Sequence, residues 1–570
     1  MTDKVISFDW MFSECSKLKS LNLISFNTES ATHMYAMFNG LESIQFLDLK
    51  TFKTKNVVDM GYMFNNCQNL HTINGISDLD VSNVEDMSSM FSHCDKITSL
   101  DLPNFRGESL VNAEYMFSYC NNLITINLKK FEGRSCKNMK GMFSNCLNLT
   151  TLLIFDNIEP LNVEDMSQMF AEAKKLTSLD LSKFDTRSVE NMEGMFADCT
   201  ELQTIILSEK FITSKVKSMS GMFVFCEKLK NVDLSHFDTS LVTDMSYMFF
   251  GCKAIETLTV TSFDTRNVVN FNSMFSQCTK LISLDVSKFR GDNAVYVFNM
   301  FHHAEKLTSL TFNDFKITKC FRMDSMFQGM KGLISIDLSG IDSSNIESLD
   351  SLFEGDLNLV TVKGLDKLNT EKVKETTQMF AGCSSLKNVD FSKFKTNNVQ
   401  FMQKMFMNCS SLETLDVSGF EGNEVTETTS MFEGCKSLTS LNFEKFQTPK
   451  LITFIKTFKG CEKLKTLYLP KIETKAVQSF NELFSGCKNL ENLVLGSEFK
   501  TSSSNGFDEI FLNCEKLISL DLSSWDVSHA LYFKSTFEGC KQLKYLNLEN
   551  WNPKYLDIKI VVKYSPRLTK

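Results

Sequence analysis

Residues Phe237–Ser262 read FDTSLVTDMSYMFFGCKAIETLTVTS. Val242, Met245, Met248, Phe249 and Cys252 recur at spacings of three and four, and Ile255, Leu258 and Val260 follow. The first set obeys the i, i+3, i+4, i+7 rule and predicts a short helix with one buried stripe. Leu258 and Val260 alternate with polar neighbours, which predicts a short, half-buried strand. One such unit is too small to cover its own apolar side, so it needs copies stacked against it.

The copies are present. Taking Phe249 as a register mark, equivalents run from Phe12, Phe38 and Phe64 to Phe484, Phe511 and Phe537, 21 in all. Fifteen of the twenty spacings are 26 residues and five are 27. Each extra residue falls just before Leu79, Ile158, Phe211, Leu368 or Phe499, and a length change confined to one point marks a surface loop. Leu or Ile stands six residues after every mark, and the residue eleven after it is apolar except at Gly75 and Gly364. The expectation is an α/β repeat: a single leucine-rich-repeat-like solenoid of about 21–22 coils, each a short helix plus a short strand in one long parallel sheet. The repeat would occupy residues 1–550, and 551–570 would form a degenerate C-terminal capping segment.

The 570 residues carry 60 basic and 69 acidic side chains, a net charge of -9, which argues against nucleic acid or an anionic membrane as partner. Hydrophobic residues make up 43% of the chain, enough for a continuous core. Apolar runs are broken by polar residues within a few positions, so neither a membrane span nor a cleavable leader is expected.

Units such as Phe237–Ser262 resemble the repeats of the BspA-like leucine-rich-repeat surface proteins along nearly the whole chain. The resemblance implies a solenoid, a surface location, and binding to protein or extracellular matrix without catalysis. No leader, lipid-attachment cysteine or wall anchor is expected from these 570 residues, so the surface location is set against a cytoplasmic alternative.

Sixteen of the 18 cysteines sit three residues after a mark, and Cys136 and Cys320 occupy the apolar position seven before one. All eighteen are therefore expected to point inward as reduced thiols used as small hydrophobes. Neighbouring coils would bring their Cα atoms within disulfide range, but stacked side chains point in parallel. No Cys-x-x-Cys or clustered Cys/His spacing suggests zinc. Most of the 29 methionines take the positions one and four before a mark, as core filler. His302 and His303 diverge as successive residues, and no nucleophile or phosphate-binding motif is present. No catalytic residue, metal site or cofactor is expected.

The outward strand face says more. Ten residues after the mark the series includes Asp180, Asp233, Asp285, Asp337, Asp390, Asp416 and Asp521, an acidic residue on every second coil for much of the length. It reads as a charge-spaced polar ladder, with weak calcium binding or basic partners as the functional alternative. Leu153, Phe155 and Ile206 would form one apolar break in that face, and Tyr468, Val494 and Tyr545 a second. These six are the candidate partner-binding residues. Val5, Phe8 and Met11 are already in register, so the N-terminal coil is expected to lack a cap and could self-associate. The resulting expectation is a non-enzymatic recognition or adhesion protein, with an intracellular protein-protein scaffold of the same fold as the alternative.

Overall fold

The computed structural model describes residues 2–154 and 162–551. The chain forms two compact units, Met1–Leu284 and Asp285–Lys570. Each is a parallel β-solenoid, the first holding eleven of the 21 marks and the second ten. Strands of two to four residues pair in parallel with the strand one coil on, as Ser99–Asp101, Thr125–Leu128 and Thr151–Ile154 do in the first unit. Ser440–Asn442, Thr466–Leu469 and Asn492–Leu495 do the same in the second.

The expected helices do not form. Through the V-x-x-M-x-x-M-F-x-x-C segment, alternate N–H groups leave their own coil. Those of Met60, Tyr62, Phe64 and Asn66 donate to the carbonyls of Asp86, Ser88, Met90 and Ser92 at 2.8–2.9 Å. The N–H groups between them close four-residue β-turns, Met63 to the Met60 carbonyl and Asn65 to that of Tyr62. Residues two before and two after the mark have positive φ, such as Tyr62 at 56° and Asn66 at 58°, and this holds at all 21 marks. A left-handed residue at the third position of a turn is the type II requirement, and it stops a helix. Stacking wins because a helix this short would leave most of its end groups unpaired, whereas a neighbouring coil satisfies them.

Nor is there one long sheet. Among the described residues the strands divide into eight sheets of two or three strands. Five of these end at Thr72–Asn74, Thr151–Ile154, Thr204–Ile206, Thr361–Lys363 and Asn492–Leu495, the strands of the five 27-residue coils. At two of them the cause is visible. Gly75 and Gly364, at φ 77° and 74°, start the 3-10 turns Ile76–Asp78 and Leu365–Lys367, which carry the chain out of the ladder.

Behind the strands the mark phenylalanines stack coil on coil. Phe12 and Phe38 lie 5.8 Å apart and 3° from parallel, and Phe511 and Phe537 lie 5.8 Å apart at 6°. Each fully buried ring of this kind is worth about 3–5 kcal/mol against alanine. The last described residue, Trp551, is buried and donates from Nε1 to the Leu522 carbonyl at 2.9 Å. The rest of the expected capping segment lies outside the described residues.

Candidate functional site

The strand face takes its polarity from the turn that ends each strand. The side chain ten after the mark accepts the backbone N–H two residues on: Ser182 to Asp180 Oδ1 at 2.9 Å, Ser235 to Asp233 at 3.0 Å, Ser418 to Asp416 at 2.9 Å. Asn22, Asn127 and Asn547 do the same. Hydrogen bonds from the serine hydroxyl and backbone hold Asp180, Asp285 and Asp337 below the usual carboxylate range. The acidic ladder is thus a row of turn caps, which explains why Asp and Asn interchange there.

Against this polar background, Leu153, Ile206, Tyr468, Val494 and Tyr545 are all exposed. Tyr468 and Val494 are register partners on adjacent strands and form one patch. The other proposed neighbours do not meet so closely. Asp180, the register partner of Ile206, belongs to the coil between Leu153 and Ile206, and Tyr545 pairs with Ser519 at the start of its strand. Phe155 lies outside the described residues.

The cysteine ladder is inward, with one correction. Seventeen thiols are buried, whereas Cys15 is exposed because it sits on the first coil, whose outer side faces no other coil of this chain. All eighteen are free. The regular position has a reason that sequence reading missed: the thiol donates to the carbonyl of the preceding mark phenylalanine, as Cys252 does to Phe223 and Cys435 to Phe406, both at 3.1 Å. Burial pushes the Cys278 and Cys435 thiols up to about 12, so they stay protonated.

A second buried ladder also went unread. Thr54, Thr239 and Thr448, ten before their marks, donate from Oγ1 to the carbonyls of Asp80, Asp264 and Glu473 at 2.9–3.0 Å. The recurrent F-x-T that opens many repeats was its visible sign. His302 and His303 lie 4.2 Å apart edge to face, and burial pushes His302 down to about 4.

Two open surface clefts lie between coils. One is lined by Lys129, Leu153, Asp180 and Lys183, beside the first apolar break. Another is lined by His71, Lys96, Ile124 and Lys175. Among the described residues no group of three His, Cys, Asp or Glu side chains is placed to hold a metal ion, and no helix is long and apolar enough to cross a membrane.

Short parallel strands one coil apart, backed by stacked phenylalanines, define a leucine-rich-repeat-like parallel β-solenoid. The chain belongs to the family described as "Mycoplasma protein of unknown function, DUF285", whose model matches residues 1–46, 34–155, 154–238, 219–336, 322–446 and 452–559. No curated protein sequence matches it. Among solved structures it is similar to a leucine-rich repeat protein from Bacteroides ovatus, with 17% identity over 81% of this chain and 86% of the other and a TM-score of 0.33. It is also similar to a leucine rich cell surface protein from Faecalibacterium prausnitzii, with 14% identity, coverage of 70% and 83%, and a TM-score of 0.25. A leucine-rich repeat protein from Eubacterium ventriosum shows 14% identity, coverage of 69% and 83%, and a TM-score of 0.26.

Proposed function

We propose that this protein is a non-enzymatic recognition protein that binds protein or extracellular-matrix partners through its strand face, in the manner of the BspA-like proteins its repeats resemble. The observation that carries this reading is the Tyr468–Val494 pair, two exposed apolar side chains side by side in the row ten residues after the marks, whose other members are mostly turn-capping Asp and Asn. Tyrosine supplies large contact area with a polar tip, which suits a recognition surface. Leu153 and Ile206 offer a second, looser patch, and the outer edge of the first coil is a candidate surface for self-association. An intracellular scaffold is the second reading, favoured by eighteen cysteines without a disulfide.

The test is a binding screen of the full chain against purified matrix and cell-surface proteins. For any partner found, Tyr468→Ala with Val494→Ala should weaken binding about tenfold, the effect of losing roughly 1.4 kcal/mol, at an unchanged melting temperature. Intact binding with a lowered melting temperature would assign the pair to stability instead.

A further inference from the structure

Two positions in every coil, two before and two after the mark, are held at positive φ. Glycine is the residue that suits them, and the second unit uses it after the mark in seven of ten coils, from Gly329 to Gly539. The first unit has glycine there in two of eleven coils, Gly40 and Gly251. Its other left-handed positions include bulky aromatic residues: Tyr119 and Phe225 after the mark, and Trp10, Tyr62, Tyr115 and Tyr247 before it, where Gly141, Gly194 and Gly221 show that the same unit also accepts glycine. Aromatic residues adopt this conformation at a cost, and strain of this kind points to a use for the side chain.

Four of the six lie in the first five coils. There Trp10, Tyr35 and Tyr62 form a tilted row with ring centroids 5.2 and 5.5 Å apart, and Trp10 is 55% exposed. From five before to two after the mark these five coils carry Asp9, Glu14, Asp59, Asp86 and Glu114 but no Lys or Arg. Burial raises the Asp59 carboxyl, and the charges of Asp86 and Asp9 raise it further, so the negative groups repel one another. The molecule itself shows what this face accepts. On the sixth coil Lys140 places its ammonium 5.7 Å from the centre of the Tyr115 ring and 3.8 Å from Glu114.

We infer that the aromatic and acidic turn face of the first five coils is a docking surface for a Lys- or Arg-bearing segment of a partner protein, whose cations sit over the Trp10 and Tyr62 rings and between the carboxylates. Cation–π contact and relief of like-charge repulsion act together there. The inference rests on the recognition reading but not on the strand-face pair, and the two can fail separately.

The test uses the full chain and fluorescein-labelled octa-arginine and octa-lysine, with a neutral Gly/Ser octamer as control. The double variant Trp10→Gly, Tyr62→Gly is expected to bind the cationic peptides at least fivefold more weakly while melting no lower than the parent, because glycine relaxes the strained backbone. If that variant folds poorly, Asp9→Asn, Asp59→Asn, Asp86→Asn keeps the side-chain oxygens that accept the Tyr35, Gly61 and Ser88 N–H groups and removes the charge, and the same fivefold loss is expected. Tyr468→Ala with Val494→Ala should leave peptide binding unchanged. Cationic-peptide binding unaltered by both turn-face variants, or absent from the parent chain, would overturn the inference and leave the strand-face proposal standing.

Discussion

Single residues depart from the repeat where its physics is most exposed. In the second unit Arg322, Asp324, Asp350 and Glu375 face one another on three consecutive coils. Arg322 pairs with Asp324 at 2.5 Å and reaches Glu375 at 3.5 Å, while Asp350 accepts the Thr377 N–H at 2.8 Å. Burial pushes Asp350 up to about 7, with Asp324 and Glu375 adding to the effect. Because its folded value lies above the unfolded one, its contribution is complete below the ordinary value of 3.8 and is lost as pH rises through about 7. Asp350→Asn should therefore narrow the gap between melting temperatures measured at about pH 5 and about pH 8. Partial exposure screens the group, so the difference is about 1 kcal/mol. An equal gap in both proteins would show that Asp350 titrates normally.

At the scale of the element, the strand was legible and the helix was not. Leu258 and Val260 alternate with polar residues and can only be read as an edge-buried strand. Met245, Met248, Phe249 and Cys252 follow a three-and-four spacing, but a chain of β-turns closed between residues three apart, Met248 to Met245 and Cys252 to Phe249, produces nearly the same spacing as one helical face. The distinguishing sign was glycine two after the mark in nine coils, among them Gly251 and Gly382, because a glycine recurring at one point of a supposed helix marks a left-handed residue. Of the candidate contacts, the Tyr468–Val494 pairing followed from register alone. The separation of Leu153 from Ile206 by Asp180 was equally readable from the coil count. The turn-capping role of the aspartates was hidden because it needs the backbone geometry two residues on.

The extra residue of a long coil also acts at this scale. A Cβ on Gly364 would lie 2.3 Å from the Ser339 nitrogen, at a φ of 74°. Gly364→Ala should cost about 1–3 kcal/mol and lower the melting temperature by several degrees. Gly419→Ala, where nothing lies within 4 Å, should leave it unchanged. A neutral Gly364→Ala would mean that the break in the strand ladder does not depend on the glycine.

Across the whole molecule, burial separates one cysteine from the rest. Titration with a bulky thiol reagent should find one fast-reacting group in the native protein, Cys15, and all eighteen in denaturant without reductant. Cys15→Ser should abolish the native reaction. Several fast thiols in the native state would mean that the coils open more readily than their packing implies.

The backbone bonds that join coils each span one repeat, from Met60 to Asp86 or Met245 to Asn270. Every coil therefore offers its successor much the same set of donors and acceptors that its predecessor offered it. A gene encoding such a protein can gain or lose a whole repeat by unequal crossing-over, and the junction inherits a ready-made interface. Length is then a freely variable trait, and selection can adjust the extent of the strand face in steps of one coil, about 4.8 Å.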